Sequence, residues 1–194
     1  MDVAVVEAGV DALAHYASIP TAFEVSSELH AELIAGGLGG IVLNERKATP
    51  PYRKDYDAYE GCGVEHWAER FDVSRWGFFL ARHDERPVGG AAVAFDTPGL
   101  HTLSGRRDLA ALWDLRVHPH FRRRGIGTRL LDRAAHWSRR QGCRYLKIET
   151  QNVNVAACRF YAKQGCHLGC IDRYGYAGHP EVGHEVMLIW YLEL

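Results

Sequence analysis

Apolar and polar positions change rhythm repeatedly along the 194 residues, and each change marks an element. From Ile126, apolar residues recur at Leu130, Leu131, Ala134, Ala135 and Trp137 within GTRLLDRAAHWSRRQG. That spacing predicts one stripe of a helix, stopped by Gly142. A second helix is predicted for NVNVAACRFYAKQG, opened by an Asn cap and ended by Gly165. LAALWDLRV before the first helix, YLKIET between the two, and EVMLIWYLEL at the C-terminus read as strands. WGFFLARHDERPVGGAAVAFD predicts a hairpin with a polar turn around Asp84 to Pro87 and a second strand reaching Phe95. Upstream, IPTAFEVSSELHAEL starts a strand near Phe23, and GGLGGIVLNE ends in a short apolar strand. KATPPYRKDYDAYEGCG, rich in proline, charge and tyrosine, reads as a long loop or a poorly packed helix. Strand, glycine turn, helix, strand, helix, strand predicts an α/β domain with a parallel pair in its middle.

Composition narrows what such a domain can do. Apolar residues make up 47% of the chain, ordinary for a folded protein able to bury a core without metal or disulfides. With 23 Lys+Arg against 24 Asp+Glu, the net charge of −1 argues against a general nucleic-acid binder. Cys62, Cys143, Cys158, Cys166 and Cys170 are odd in number and lack C-x-x-C pairing, so reduced thiols are expected. A zinc site at Cys166, His167 and Cys170 has no second ligand pair at the right spacing, and no metal is expected. No basic n-region with an apolar core opens the chain, and no apolar run approaches about eighteen residues. The expectation is a soluble, cytoplasmic protein without membrane or nucleic-acid partners, either a monomer or a homodimer.

One stretch breaks the ordinary pattern. In HPHFRRRGIGT, Arg122, Arg123 and Arg124 run straight into Gly125, Ile126, Gly127 and Thr128 at the start of the first helix. A helix N-terminus offers unpaired N–H groups and about half a positive charge, and glycines let an anion come close. A Walker loop would need Gly-Lys-Ser/Thr and a four-residue gap, and a Rossmann fingerprint would need a third glycine where Leu130 stands. The pattern therefore points to a small phosphate-bearing ligand of another class.

Arg122-x-x-Gly125-x-Gly127, followed downstream by Asn154-x-x-Ala157-x-x-Phe160-Tyr161-x-x-x-Gly165, resembles the paired motifs of the GNAT N-acetyltransferase superfamily. LWDLRV, IETQNVNVAACRFYAKQG, IDRYGY and IWYLEL are similar to the streptothricin acetyltransferases and their relatives. Cys166 departs from the aromatic residue usual after the helix-ending glycine, which costs core volume and leaves the chemistry untouched. The resemblance implies a mixed, mostly antiparallel sheet with a central splayed parallel strand pair flanked by helices. It also implies acetyl-CoA as acetyl donor, its pyrophosphate on residues Arg122 to Thr128 and its pantetheine arm along Leu115, Arg116 and Val117. Asn154 and Ala157 would contact the cofactor, and Tyr161 would reach its sulfur as general acid.

Acetyl transfer to an amine also needs a neutral nucleophile. Asp114, in an otherwise apolar strand, and Glu149 on the next strand are the candidate bases. Either can instead pair with Arg116 or Lys147, and a water chain can replace both. In RKDYDAYE, Asp55, Asp57 and Glu60 with two tyrosines suit a polyamine or β-lysine arm, and a solvated acidic helix accounts for them nearly as well. The expected organisation is a single domain over 1–194. An acceptor-side half, about 1–105 with a lid-like loop at 45–63, precedes an acetyl-CoA-binding half, about 106–194. The acceptor is expected to be a small-molecule amine, possibly an antibiotic. Acetylation of a protein N-terminus or lysine, or a module that binds acetyl-CoA without catalysis, are the alternatives.

Overall fold

The computed structural model describes residues 3–59 and 61–194, so Glu60 of the acidic segment lies outside the described residues. The strands are β1 (Ala4–Ala8), β2 (Phe23–Leu33), β3 (Ile41–Lys54), β4 (Gly77–His83), β5 (Arg86–Ala94), β6 (Leu109–Val117), β7 (Tyr145–Gln151), β8 (His167–Asp172) and β9 (Met187–Glu193). The helices are α1 (Leu13–Ala17), α2 (Trp67–Arg70), α3 (Ile126–Arg140) and α4 (Val155–Lys163). Seven strands hydrogen-bond in the order β1-β4-β5-β6-β7-β9-β8, and β2 and β3 form a sheet of their own. The large sheet is mostly antiparallel, with β6 and β7 as its parallel pair.

The chain divides into two compact units, each discontinuous. One runs to Phe23, resumes at Asp55–Lys147 and closes with Glu193–Leu194, and the other joins Glu24–Lys54 to Ile148–Leu192. These divisions do not follow a boundary at 105/106, because neighbours in space are drawn from distant segments.

In the first unit the two faces of the sheet are read by parity. Gly77 and Gly89 leave room for α3: a Cβ on Gly77 would sit 2.8 Å from the Trp137 ring, and one on Gly89 would sit 3.0 Å from Ile126. Even-numbered positions of β4 and β5 face the other way, where Phe78, Leu80, Ala92 and Ala94 join Tyr16, Trp67 and Trp76 in an aromatic core. Gly90 belongs to that face, and a Cβ there would meet the Tyr16 ring at 2.4 Å. The hairpin turn falls on Asp84 and Glu85, whose φ values of 46° and 63° match the primed two-residue turn that suits a twisted ladder.

The segment at 45–63, divided between the two units at Lys54/Asp55, begins as a strand where a lid-like loop was expected. Up to Lys54 it is strand β3, and only beyond Asp55 does it turn, at Tyr56–Ala58. Pro50 and Pro51 face opposite edges of β3, and a two-stranded ladder leaves one of those edges outer, where a missing donor is tolerated. Asn152 ties β2 to the end of β7: Leu29 N donates to its carbonyl at 3.0 Å, and its Nδ2 donates to the Leu29 carbonyl at 3.0 Å. β8 was absent from the periodicity, since its residues are mostly exposed or half-buried and carry no clean alternation.

Candidate active site

The glycine turn forms the start of α3 as expected. Gly125 is the N-cap residue, with φ 79° and ψ −2°, and a Cβ built there meets no atom within 4 Å. Arg129 N donates to the Gly125 carbonyl at 3.1 Å, so the N–H groups of Ile126, Gly127 and Thr128 precede the first helical bond. The Ile126 side chain is buried in the core, leaving its main chain for any anion. Arg123 holds φ 61°, unusual for a residue with a side chain and typical of functional turns. Arg123 and Arg124 are exposed. Arg122 is half-buried, unlike Arg123 and Arg124. Its Nε donates to the Val117 carbonyl at 2.9 Å and its Nη2 to the Ala22 carbonyl at 3.0 Å. Burial lowers the guanidinium pKa, and the side chain is committed to bracing the loop.

β6 carries a bulge that decides which way its side chains point. Ala92 pairs with Asp114 and Val93 with Leu112, so Trp113 is the extra residue. The extra residue flips the parity of everything after it. Asp114 and Arg116, opposite Ala92 and Gly90, are thereby turned to the α1 face, while Leu115 and Val117 lie opposite Ala91 and Gly89 on the α3 face. Trp113 itself packs against Phe71 and Trp76, with ring centroids 5.3 Å and 5.5 Å away.

Asp114 and Arg116 are therefore partners. Arg116 Nε donates to Asp114 Oδ1 at 2.9 Å and Nη2 to Asp114 Oδ2 at 2.8 Å, and Tyr16 OH donates to Asp114 Oδ1 at 2.6 Å. Arg116, with a side chain 3% exposed, also donates to Asp57 at 2.9 Å and 3.1 Å and to the Ile19 carbonyl at 3.1 Å. Its guanidinium carbon lies 5.1 Å from the Tyr16 ring centroid. Burial opposes the Arg116 charge most strongly, but Asp114, Tyr16 and Asp57 more than offset it, and the net shift of its pKa is upward. The guanidinium of Arg116 is thus spent on the fold, leaving its main chain as what it can offer a cofactor. Both Asp114 oxygens are engaged by Arg116, and Oδ1 by Tyr16 as well. Asp114 matches the ion-pair alternative.

Asp57 belongs to the same network, and Asp55 joins it through Thr21, whose Oγ1 donates to Asp55 Oδ1 at 2.8 Å and to Asp57 Oδ2 at 3.2 Å. Asp57 reaches the Arg116 guanidinium directly, and Asp55 reaches the network through Thr21. Tyr16 and Thr21 were not identified from the sequence, where neither stands in a motif.

The second unit holds the remaining candidates. Asn154 caps α4, its Oδ1 accepting from Ala157 N at 3.1 Å. Tyr161 is buried, with its ring 5.2 Å from that of Phe160. Cys158, between them on the helix, lies 3.6 Å from Thr150 Oγ1, and burial raises its thiol pKa. Glu149 is exposed and does not take Lys147 as partner; Lys147 Nζ donates to the Thr102 carbonyl at 3.0 Å. Instead Glu149 Oε1 accepts from Tyr176 OH at 2.8 Å, and Gln151 Nε2 donates to that same hydroxyl at 3.1 Å. Sequence reasoning missed Tyr176 and Gln151, although Tyr176 closes the IDRYGY stretch. Among the described residues, no three His, Cys, Asp or Glu side chains form a metal-holding group, and no helix is long and apolar enough to cross a membrane.

Comparison with known proteins bears on both units. The acetyltransferase (GNAT) family model matches residues 42–166. The chain is 35% identical over 153 residues to streptothricin acetyltransferase A of Bacillus subtilis (strain 168), covering 79% of this chain and 80% of that one. It is 30% identical over 152 residues to a streptothricin acetyltransferase of Escherichia coli, covering 78% and 76% respectively. A crystal structure from Bacillus anthracis str. Ames in complex with acetyl coenzyme A shares the fold, with a TM-score of 0.77 at 24% identity over 100% of both chains.

Proposed function

We propose, from the premise that this chain belongs to the acetyltransferase (GNAT) family and is an acetyl-CoA-dependent acyltransferase, that its acceptor is a primary amine of a small molecule of the streptothricin kind. The observation that carries this reading is the identity with two streptothricin acetyltransferases, which runs over more than three quarters of the chain. The chain acts as a single acetyltransferase domain.

The residues fit the donor. An open glycine N-cap, the N–H groups of Ile126, Gly127 and Thr128, and the exposed Arg123 and Arg124 suit a pyrophosphate. Main-chain groups of Leu115, Arg116 and Val117 would hold the pantetheine arm, and Asn154 and Ala157 would contribute from the start of α4. Acetyl-CoA, when bound, supplies an activated thioester carbonyl. Glu149 takes the proton from the substrate ammonium, a role supported by its exposure and by the commitment of Asp114 to Arg116. Tyr161 gives its hydroxyl proton to the departing thiolate.

The test is to mix purified protein with acetyl-CoA and a panel of amines containing streptothricin, free polyamines and lysine-bearing peptides, and to follow thiol release. Turnover fastest with streptothricin or a related small amine supports the reading. Turnover confined to peptides overturns it.

A further inference from the structure

We infer that Tyr176 is a positioning residue for acetyl transfer: it holds the Glu149 carboxylate as an acceptor ready to take the substrate proton. The inference rests on the proposed amine acetylation and adds to it a residue outside every motif.

Glu149 and Gln151 are two apart on β7, so their side chains leave the same face of the strand. Tyr176 bridges them. A phenol has a single hydrogen and two acceptor sites. The carboxylate can only accept, so the Tyr176 hydrogen, 2.8 Å from Glu149 Oε1 by heavy-atom distance, is donated there. The Gln151 amide donates to the phenol oxygen at 3.1 Å, which fixes the direction of the chain Gln151 to Tyr176 to Glu149. The bond from Tyr176 engages Oε1 alone, which leaves Oε2 as the atom that can take the substrate proton.

The phenol is itself held in place. Tyr176 is 7% exposed, whereas Glu149 is open to solvent, so a fixed partner orients a mobile one. The segment between β8 and β9 that carries Tyr176 is a run of tight turns: Ala177 N donates to the Tyr174 carbonyl at 3.0 Å, His179 N to the Tyr176 carbonyl at 2.8 Å, and Glu185 N to the Val182 carbonyl at 2.9 Å. Its far end is pinned twice. Glu185 forms a buried ion pair with Lys54, and Val186 N donates to Asn152 Oδ1 at 2.8 Å. An exposed glutamate on a strand normally samples several rotamers; here one carboxylate oxygen is tied to a phenol anchored by the loop.

The experiment is a double-mutant cycle on the full chain, with the best amine of the panel. Tyr176→Phe removes one oxygen and keeps the ring; kcat should fall on the order of 10-fold, with acetyl-CoA affinity and melting temperature essentially retained. Glu149→Gln should lower kcat by at least about 10²-fold. In the Glu149→Gln background, Tyr176→Phe should cause no further loss, because its effect passes through the carboxylate. Equal losses from Tyr176→Phe in both backgrounds, an unchanged kcat, or a kcat loss matched by lost acetyl-CoA affinity would each overturn the assignment. Turnover of an amine by the parent protein together with any of those results sinks Tyr176 alone. Absence of turnover with every amine sinks the proposed function and the assignment together.

Discussion

Replacing Arg116 by methionine probes the centre of the first unit directly. The side chain is 3% exposed, and its guanidinium makes two hydrogen bonds to Asp114, two to Asp57 and one to the Ile19 carbonyl. Methionine preserves much of the volume and removes every donor, leaving two carboxylates facing a site built for a cation. Breaking a fully buried ion pair by removing one partner costs about 3–5 kcal/mol. Asp57 and Asp114 keep 29% and 17% side-chain exposure, so water relieves part of their loss and the lower end, about 3 kcal/mol, is expected. For a chain of this size that is a drop of about 6–12 °C in Tm. The Arg116 pKa is shifted upward, so its stabilisation is full below the unfolded arginine value and is lost only as pH rises through the still higher folded one. The cost should therefore be constant across about pH 6 to 9. Urea denaturation followed by tryptophan fluorescence measures it. Neutralising the partners as well, in Asp57→Asn/Asp114→Asn/Arg116→Met, should recover at least about half of the loss, because no unpaired charge is left behind. A single variant within about 1 kcal/mol of the parent, or a triple variant no better than the single, would refute the account.

Three other outcomes are expected. Tyr161→Phe should leave acetyl-CoA affinity nearly unchanged while kcat falls about 10²-fold or more, measured with the best amine; equal kcat values would remove Tyr161 from the mechanism. Gly125→Ala should cost about 1 kcal/mol of stability for the left-handed backbone, since its Cβ meets nothing, whereas Gly125→Glu should also abolish acetyl-CoA binding in calorimetry. Native protein treated with a thiol-reactive disulfide at pH 8 should release two equivalents quickly, from the exposed Cys62 and Cys170, and five after denaturation. Burial pushes the Cys143 and Cys166 thiols up to about 11 and also raises that of Cys158, so rapid reaction of a third thiol in the native state would contradict their placement.

Elements with a strong local rhythm were legible before any coordinates. The stripe from Ile126 to Trp137, the Asn154 cap with its Gly165 stop, and the β6 run LAALWDLRV occupy the places their periodicity predicts, because each is specified within a few neighbouring residues. The glycine turn was legible for the same reason: a left-handed N-cap at Gly125 is a property of one residue and its backbone. β8 and the strand character of β3 through its two prolines were not, since pairing with a distant partner supplies what their own sequences lack.

The chemistry divides along the same line. Sequence determined which residue types could act, and Asp114 and Glu149 were equivalent in it: two carboxylates on neighbouring strands, each beside a basic residue. Tertiary structure separated them. A single extra residue at Trp113 turned Asp114 and Arg116 toward Tyr16 and Asp57, a commitment that depends on strand register and on segments 98 and 59 residues away. Glu149 escaped that fate and met Tyr176 instead, 27 residues on. A local pattern can name a carboxylate, but whether it is spent on a buried cation or left open to a substrate depends on which distant side chains the fold brings within about 3 Å of it.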